Sequence, residues 1–278
     1  LEALGGSDLQ TAFELASKLE HTDEAILFGS AYARTAVGLG DAAWVADSTC
    51  ELLDAAGRAD DALALKAALI ERIDAAAGGD ATDPDAAIEL ANALWYRGTW
   101  EPEAKARLHG EAAELLAGAI LARESVELKA GQPLLPDAVL ALNDRLHAHV
   151  GLIHDLVDLV VSAGDHGTAG RLLAAMLTLQ PEAFTWHYRK AGWLQERGMI
   201  PEALPVARQA LTFAYGDNRL RAAKRVADLL GPGPQALAVI DEALSAPEPE
   251  HEHVRTWRYR QALQTLRAEF MESEAHPR

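Results

Sequence analysis

Ala163-Gly164-Asp165-His166-Gly167-Thr168-Ala169, Arg197-Gly198-Met199-Ile200-Pro201-Glu202-Ala203 and Leu230-Gly231-Pro232-Gly233-Pro234-Gln235-Ala236 decide the fold. Their first glycines stand 34 and 33 residues apart, and an alanine follows each by five. An earlier copy reads Ala56-Gly57-Arg58-Ala59-Asp60-Asp61-Ala62. Each copy lies between two stretches of helical apolar spacing. A period of this size marks a helix pair that cannot bury its own apolar face, so neighbouring pairs must stack.

Composition agrees. The chain has 278 residues, 49% of them hydrophobic, enough for an ample core. Ala, Leu, Glu, Asp and Arg dominate, so helix is expected throughout and strands hardly at all. Forty-two acids against 25 bases give a net charge of −17, which opposes nucleic-acid or anionic-membrane binding because phosphates are held by cations. The charge is uneven: residues 1–130 hold 24 acids and 10 bases, and residues 131–278 hold 18 and 15. Between Trp186 and Arg225 the sign reverses, with eight bases against three acids. The single cysteine, Cys50, excludes an internal disulfide framework and is expected in the core. No apolar run is long enough to span a membrane and no signal segment is present. The chain starts at Leu1 rather than Met, as a trimmed form would, and its composition fits a GC-rich bacterial source.

Apolar spacing and the stop signals Gly, Pro and Asp predict helices at 8–20, 23–38, 41–56, 60–77, 84–97, 102–129, 136–163, 167–179, 182–197, 200–214, 218–230, 233–245 and 250–273. Ser7, Asp41, Asp60, Asp83 and Asp217 stand where N-caps are wanted. Segments 78–84 and 131–136 read as linkers and 246–251 as a hinge. The chain divides into acidic repeats over 1–130 and the clearer repeats with a capping helix over 131–278, expected to run on as one solenoid. In the last helix Val254, Trp257, Leu263, Leu266 and Phe270 form an apolar stripe that either caps the stack or docks a partner.

With each repeat glycine set at position 15, Ala62, Ala169, Ala203 and Ala236 fall at position 20, Ala210 and Ala243 at position 27, and Pro181 at position 32. These residues resemble the small-residue and proline positions of the tetratricopeptide repeat family. The likeness is good over about 150–245, fair over 42–77 and weak elsewhere; the family's Trp at position 4 and its Gly-Tyr pair are mostly absent. The resemblance implies an all-α, right-handed solenoid of about six helix pairs with a C-terminal capping helix, and a concave groove lined by the first helix of each pair. Positions facing that groove would be Trp44, Asp47, Glu51 and Asp54 in the early unit, then His154, Asp155 and Asp158, then Tyr188, Arg189, Gly192 and Gln195, and finally Asn218, Arg221 and Arg225. The family's carboxylate clamp is not matched beyond Arg189 and Asn92.

Enzymatic signals are weak. His147, His149, His154, Asp155 and Asp158 cluster on one predicted helix, but no HExxH or ExxH pair accompanies them, so no metal or cofactor is expected. His251 and His253 alternate with glutamates in the hinge, as a solvated segment would. No phosphate-cradling glycine loop, nucleophile elbow or Cys–His arrangement appears. Trp186, Tyr188 and Trp193 do not share one helix face, so part of that set is core rather than a base-stacking platform. The expectation is a non-catalytic, cytoplasmic protein-interaction scaffold. Its partner is a protein or acidic peptide contacting His154, Asp158, Tyr188, Arg189, Arg221 and Arg225. Two alternatives stand beside it: an accessory domain of a larger enzyme or signalling protein, and a homo-oligomer formed by head-to-tail association of its unequally charged halves.

Overall fold

Five of the described helix ends close with one type of backbone turn, and that turn explains the repeat. The structure is a computed structural model describing residues 5–78, 83–126, 135–245 and 254–275, with side chains in the last segment for 258–273. After Leu53, Val160 and Leu194 the chain turns identically. Arg58 N–H donates to Leu53 O (2.8 Å), Asp165 N–H to Val160 O (2.8 Å) and Met199 N–H to Leu194 O (3.0 Å). Each turn needs one residue in the left-handed region, and the repeat glycines supply it, with φ of 72° at Gly57, 88° at Gly164 and 72° at Gly198. Gly231, at φ 70°, ends its helix with the simpler bond from its own N–H to Ala227 O (3.0 Å). Two further turns follow the first pattern without glycine. His21 N–H donates to Ala16 O across Glu20 (φ 59°), and Val126 N–H to Leu121 O across Ser125 (φ 54°).

All described secondary structure is helical. In order the elements are α1 (Gly6–Lys18), α2 (Thr22–Thr35), α3 (Leu39–Ala55), α4 (Ala59–Ala77), α5 (Pro84–Trp100), α6 (Lys105–Arg123), α7 (Leu135–Val139), a 3-10 segment (Leu140–His149), α8 (Val150–Ser162), α9 (His166–Leu179), α10 (Phe184–Glu196), α11 (Ile200–Phe213), α12 (Asp217–Leu230), α13 (Pro234–Leu244) and α14 (Val254–Ala275). The chain divides into two compact units, Leu1–Ala169 and Gly170–Arg278.

In unit 1, α1 packs on α2, α2 on α3, α3 on both α4 and α5, α5 on α6, and α6 on α8. Neighbour-to-neighbour packing of this kind is what helical repeats require. Arg72 on α4 reaches back to the carbonyls of Ala33 and Ala36 at the end of α2, where a cation meets the negative end of the helix dipole. In unit 2, α10 packs on α11, α11 on α12, and α12 on α13 and α14. Leu263, Leu266 and Phe270 of α14 are buried with Leu220, Ala236 and Ile240, so this helix covers the end of unit 2. Val254 and Trp257 lie outside the described side chains, as the hinge histidines lie outside the described residues. The position-20 alanines Ala62, Ala169, Ala203 and Ala236 are no more than 2% exposed, which lets paired helices approach closely.

Several sequence expectations are corrected. The predicted helix 102–129 spans only Lys105–Arg123, since Pro102 lies in the preceding turn and Ser125 reverses the chain. The predicted helix 136–163 is three pieces, broken where Asn143 takes φ 48° and ψ −121°. His147 and His154 therefore do not share a helix face. Of the five proposed N-caps, only Asp83 caps, accepting from Asp85 N–H at 3.2 Å. The caps of the other four helices are Gly5, Gly38, Arg58 and Gly216, while Asp41, Asp60 and Asp217 fall in first turns and favour the positive helix end.

Candidate functional site

Unit 2 builds a cationic, aromatic face from α10 and α12. Arg221 and Arg225 are one helical turn apart and so project together, and Tyr188 of α10 lies under both. The Arg225 guanidinium carbon is 4.0 Å from the Tyr188 ring centroid and that of Arg221 is 4.9 Å away. Arg221 also lies 5.4 Å from the ring of Tyr259 on α14 and donates to Asn218 Oδ1 at 3.4 Å. Space for Arg225 comes from Gly192, one turn beyond Tyr188, because a Cβ there would land on the guanidinium. Tyr188 is further held by Phe184, with ring centroids 5.2 Å apart. Arg189 is half-buried beside it on α10. Other bases of the run are engaged elsewhere: Arg219 with Glu242 (2.8 Å) and Lys224 with Asp228 (2.8 Å).

The remaining aromatics of the run divide as side-chain direction requires. Trp186 is 1% exposed and donates from Nε1 to Gln180 Oε1 at 2.9 Å. Trp193 is half-buried and carries Arg197 over its ring at 4.8 Å. No continuous base-stacking platform results.

Unit 1 contains a cavity of about 400 Å³ between α3, α5 and α8. Each helix contributes a single face. Gly40, Asp41 and Trp44 come from α3; Asn92, Trp95 and Tyr96 from α5; Asp155, Asp158 and Leu159 from α8. The two latter sets have i, i+3, i+4 spacing, which places side chains on one side of a helix. Gly40 permits the approach of α3 to α5: a Cβ there would be 2.9 Å from Asn92 Cβ. Its N–H donates to Glu89 Oε2 at 2.9 Å. Nearby, Asp47 accepts from Trp100 Nε1 at 2.7 Å. Burial first, and then Asp47 and Asp41, push the Tyr96 phenol above its ordinary pKa. Burial, Asp41 and Glu89 do the same to Tyr32.

Behind the cavity, Trp95 stacks on His109, with centroids 4.6 Å apart and planes 10° from parallel. His109 is fully buried; its Nε2 pairs with Trp95 O at 3.0 Å, whereas Nδ1 has no hydrogen-bond partner. Burial holds this imidazole below its usual pKa, the carbonyl partner opposing and Lys105 assisting. Gly98 lies flat against the ring, so any side chain there would strike it.

The six residues singled out from sequence thus fall in two places. Tyr188, Arg221 and Arg225 come together in unit 2, and half-buried Arg189 follows Tyr188 on α10. Asp158 lines the unit 1 cavity, and half-buried His154 lies on the same helix without being among the lining residues. Trp44, Asn92 and Asp155 also meet there, while Glu51 and Asp54 do not. Trp95 and Tyr96 were not singled out; their signal was the α5 spacing with Asn92. Elsewhere in unit 1, His149 Nε2 pairs with Glu124 Oε1 at 2.6 Å and His147 is exposed. Among the described residues no group of three His, Cys, Asp or Glu side chains could hold a metal ion. Cys50 is buried, and burial pushes its thiol up to about 11. No described helix is long and apolar enough to cross a membrane.

No protein-family model matches the chain. No curated protein matches it. Among solved structures, the assembly chaperone of RpL4 (Acl4, residues 1–338) is similar at 13% identity and a TM-score of 0.44, over 98% of this chain and 100% of that one.

Proposed function

We propose that this chain is a non-catalytic protein-interaction scaffold whose helix pairs stack as a right-handed, tetratricopeptide-like solenoid, about six pairs in all. The face formed by Tyr188, Arg189, Arg221 and Arg225 takes an acidic peptide segment of a partner protein. His154 and Asp158 contribute a contact surface within unit 1. The observation that carries this reading is the pair of guanidinium groups stacked on Tyr188 at 4.0 and 4.9 Å. Held over one ring, the two guanidinium groups are brought together, and arginine donors pair with carboxylates two at a time. The surrounding run of eight bases against three acids, in a chain of net charge −17, supplies a local field of the right sign.

The test is binding of a fluorescein-labelled peptide of alternating Glu and Ala, compared with its Gln counterpart. Arg189→Glu with Arg225→Glu is expected to weaken binding of the Glu peptide by about tenfold or more, a change of about 1.4 kcal/mol. Binding left unchanged by the double substitution, or equal for the Glu and Gln peptides, would overturn the assignment.

A further inference from the structure

We propose that the cavity between α3, α5 and α8 is an acceptor site for an arginine side chain of a partner polypeptide. The inference does not rest on the basic face of unit 2, which has the opposite charge preference.

Three features of the cavity fit one occupant. Its walls carry three aromatic rings, Trp44, Trp95 and Tyr96, and an organic cation is attracted to the negative face of such rings. Its lining also includes three carboxylates, Asp41, Asp155 and Asp158. The negative field at the site is felt by the protein's own groups, since Asp41 and its neighbours help to raise the phenols of Tyr96 and Tyr32.

Size and chemistry then narrow the choice. About 400 Å³ lies within the range of small-ligand pockets, roughly 300–1,000 Å³, and accommodates a whole side chain. A metal ion would leave the aromatic walls without a role. A guanidinium uses both kinds of wall, because its flat face stacks on indole or phenol while its edge donors pair with carboxylates. A lysine ammonium lacks the flat face and is more strongly hydrated. Unit 2 shows the same preference inside the chain, where guanidinium groups lie on Tyr188.

The experiment is calorimetric titration of the full chain with acetyl-Gly-Arg-Gly-Arg-Gly-amide, near physiological salt so that diffuse attraction to an acidic protein is screened beyond about 8 Å. The arginine peptide is expected to bind at least about tenfold more tightly than its citrulline counterpart, which keeps the shape and loses the charge, and several-fold more tightly than its lysine counterpart. Asp41→Asn with Asp155→Asn removes two exposed carboxylates and is expected to weaken arginine-peptide binding by about tenfold. Asp60→Asn with Glu71→Gln, the same charge change at exposed positions of α4, is expected to leave binding unchanged. Arg189→Glu with Arg225→Glu is expected to leave it undiminished, which separates this site from the acidic-peptide face. Absence of binding, equal binding of the citrulline or lysine peptide, or equal losses in the two carboxylate pairs would overturn the proposal.

Discussion

In unit 2 the ring of Tyr188 is covered by Arg221 and Arg225 from its own chain, whereas in unit 1 Trp44, Trp95 and Tyr96 share a cavity with Asp41, Asp155 and Asp158. Both arrangements are assembled the same way, from side chains three or four residues apart on neighbouring helices. The difference lies in which charge the sequence places beside the aromatic rings. The helices fix where these side chains stand and leave their chemistry open, which is why opposite preferences are proposed for the two units.

The sharpest way to break this comparison is through the glycine that makes room in each unit. At Gly98 a Cβ would strike the buried His109 ring, which is stacked on Trp95 and cannot move aside. Gly98→Ala is expected to cost about 1–3 kcal/mol in urea unfolding, as overpacking does. At Gly192 the obstacle is the mobile end of Arg225. Gly192→Ala is expected to change stability by no more than about 0.5 kcal/mol while weakening the acidic peptide. Equal losses of stability would show that the two aromatic sites are not supported differently.

The turns provide the next largest effect. Unit 2 reaches its left-handed turn positions with Gly198 and Gly231, but unit 1 uses Glu20 and Ser125 at two of its own. An L-residue there carries a penalty of roughly 1–2 kcal/mol, partly offset by the greater unfolded freedom of glycine. Glu20→Gly and Ser125→Gly are each expected to raise stability by about 0.5–1 kcal/mol, and Gly57→Ala to lower it by a similar amount. Thermal midpoints that fall for Glu20→Gly would contradict this account of the turn.

The smallest expected effect is in pH dependence, and it belongs to unit 1. His109 is held below its ordinary pKa, so the unfolded chain takes up a proton there before the folded chain does. Stability should decline as pH falls from about 7 through the ordinary histidine range, about 6.5. Glu124 is held below the ordinary carboxylate range chiefly by its hydrogen bond from His149, with burial opposing and Arg145 assisting. Its contribution is present above that range and is lost as pH falls from there through the lowered value. His109→Phe keeps an aromatic stack on Trp95 and is expected to flatten the upper part of the melting profile only. A profile with the same slope after that substitution would remove His109 as its cause.

The helix-pair repeat was legible because Gly57, Gly164, Gly198 and Gly231 each supply a conformation that few other residues adopt cheaply. Glu20 and Ser125 form the same hydrogen-bonded turn without that signature, so the helix pairs around them carried only a weak signal. The break at Asn143 was hidden because apolar spacing continues through it, with Leu142 and Leu146 buried on either side. Of the surfaces, the pairing of Arg221 and Arg225 could be read from their spacing of one turn. The cavity could not, because Trp44, Trp95 and Asp158 lie on helices far apart in sequence and meet only through packing.

The most direct single measurement is a crossed titration of both peptides, arginine-bearing and glutamate-bearing, against the wild-type chain, Asp41→Asn with Asp155→Asn, and Arg189→Glu with Arg225→Glu. Each pair of substitutions is expected to abolish most binding of one peptide and spare the other. A variant that loses both peptides, or two variants that lose neither, would contradict the assignment of opposite preferences to the two aromatic sites.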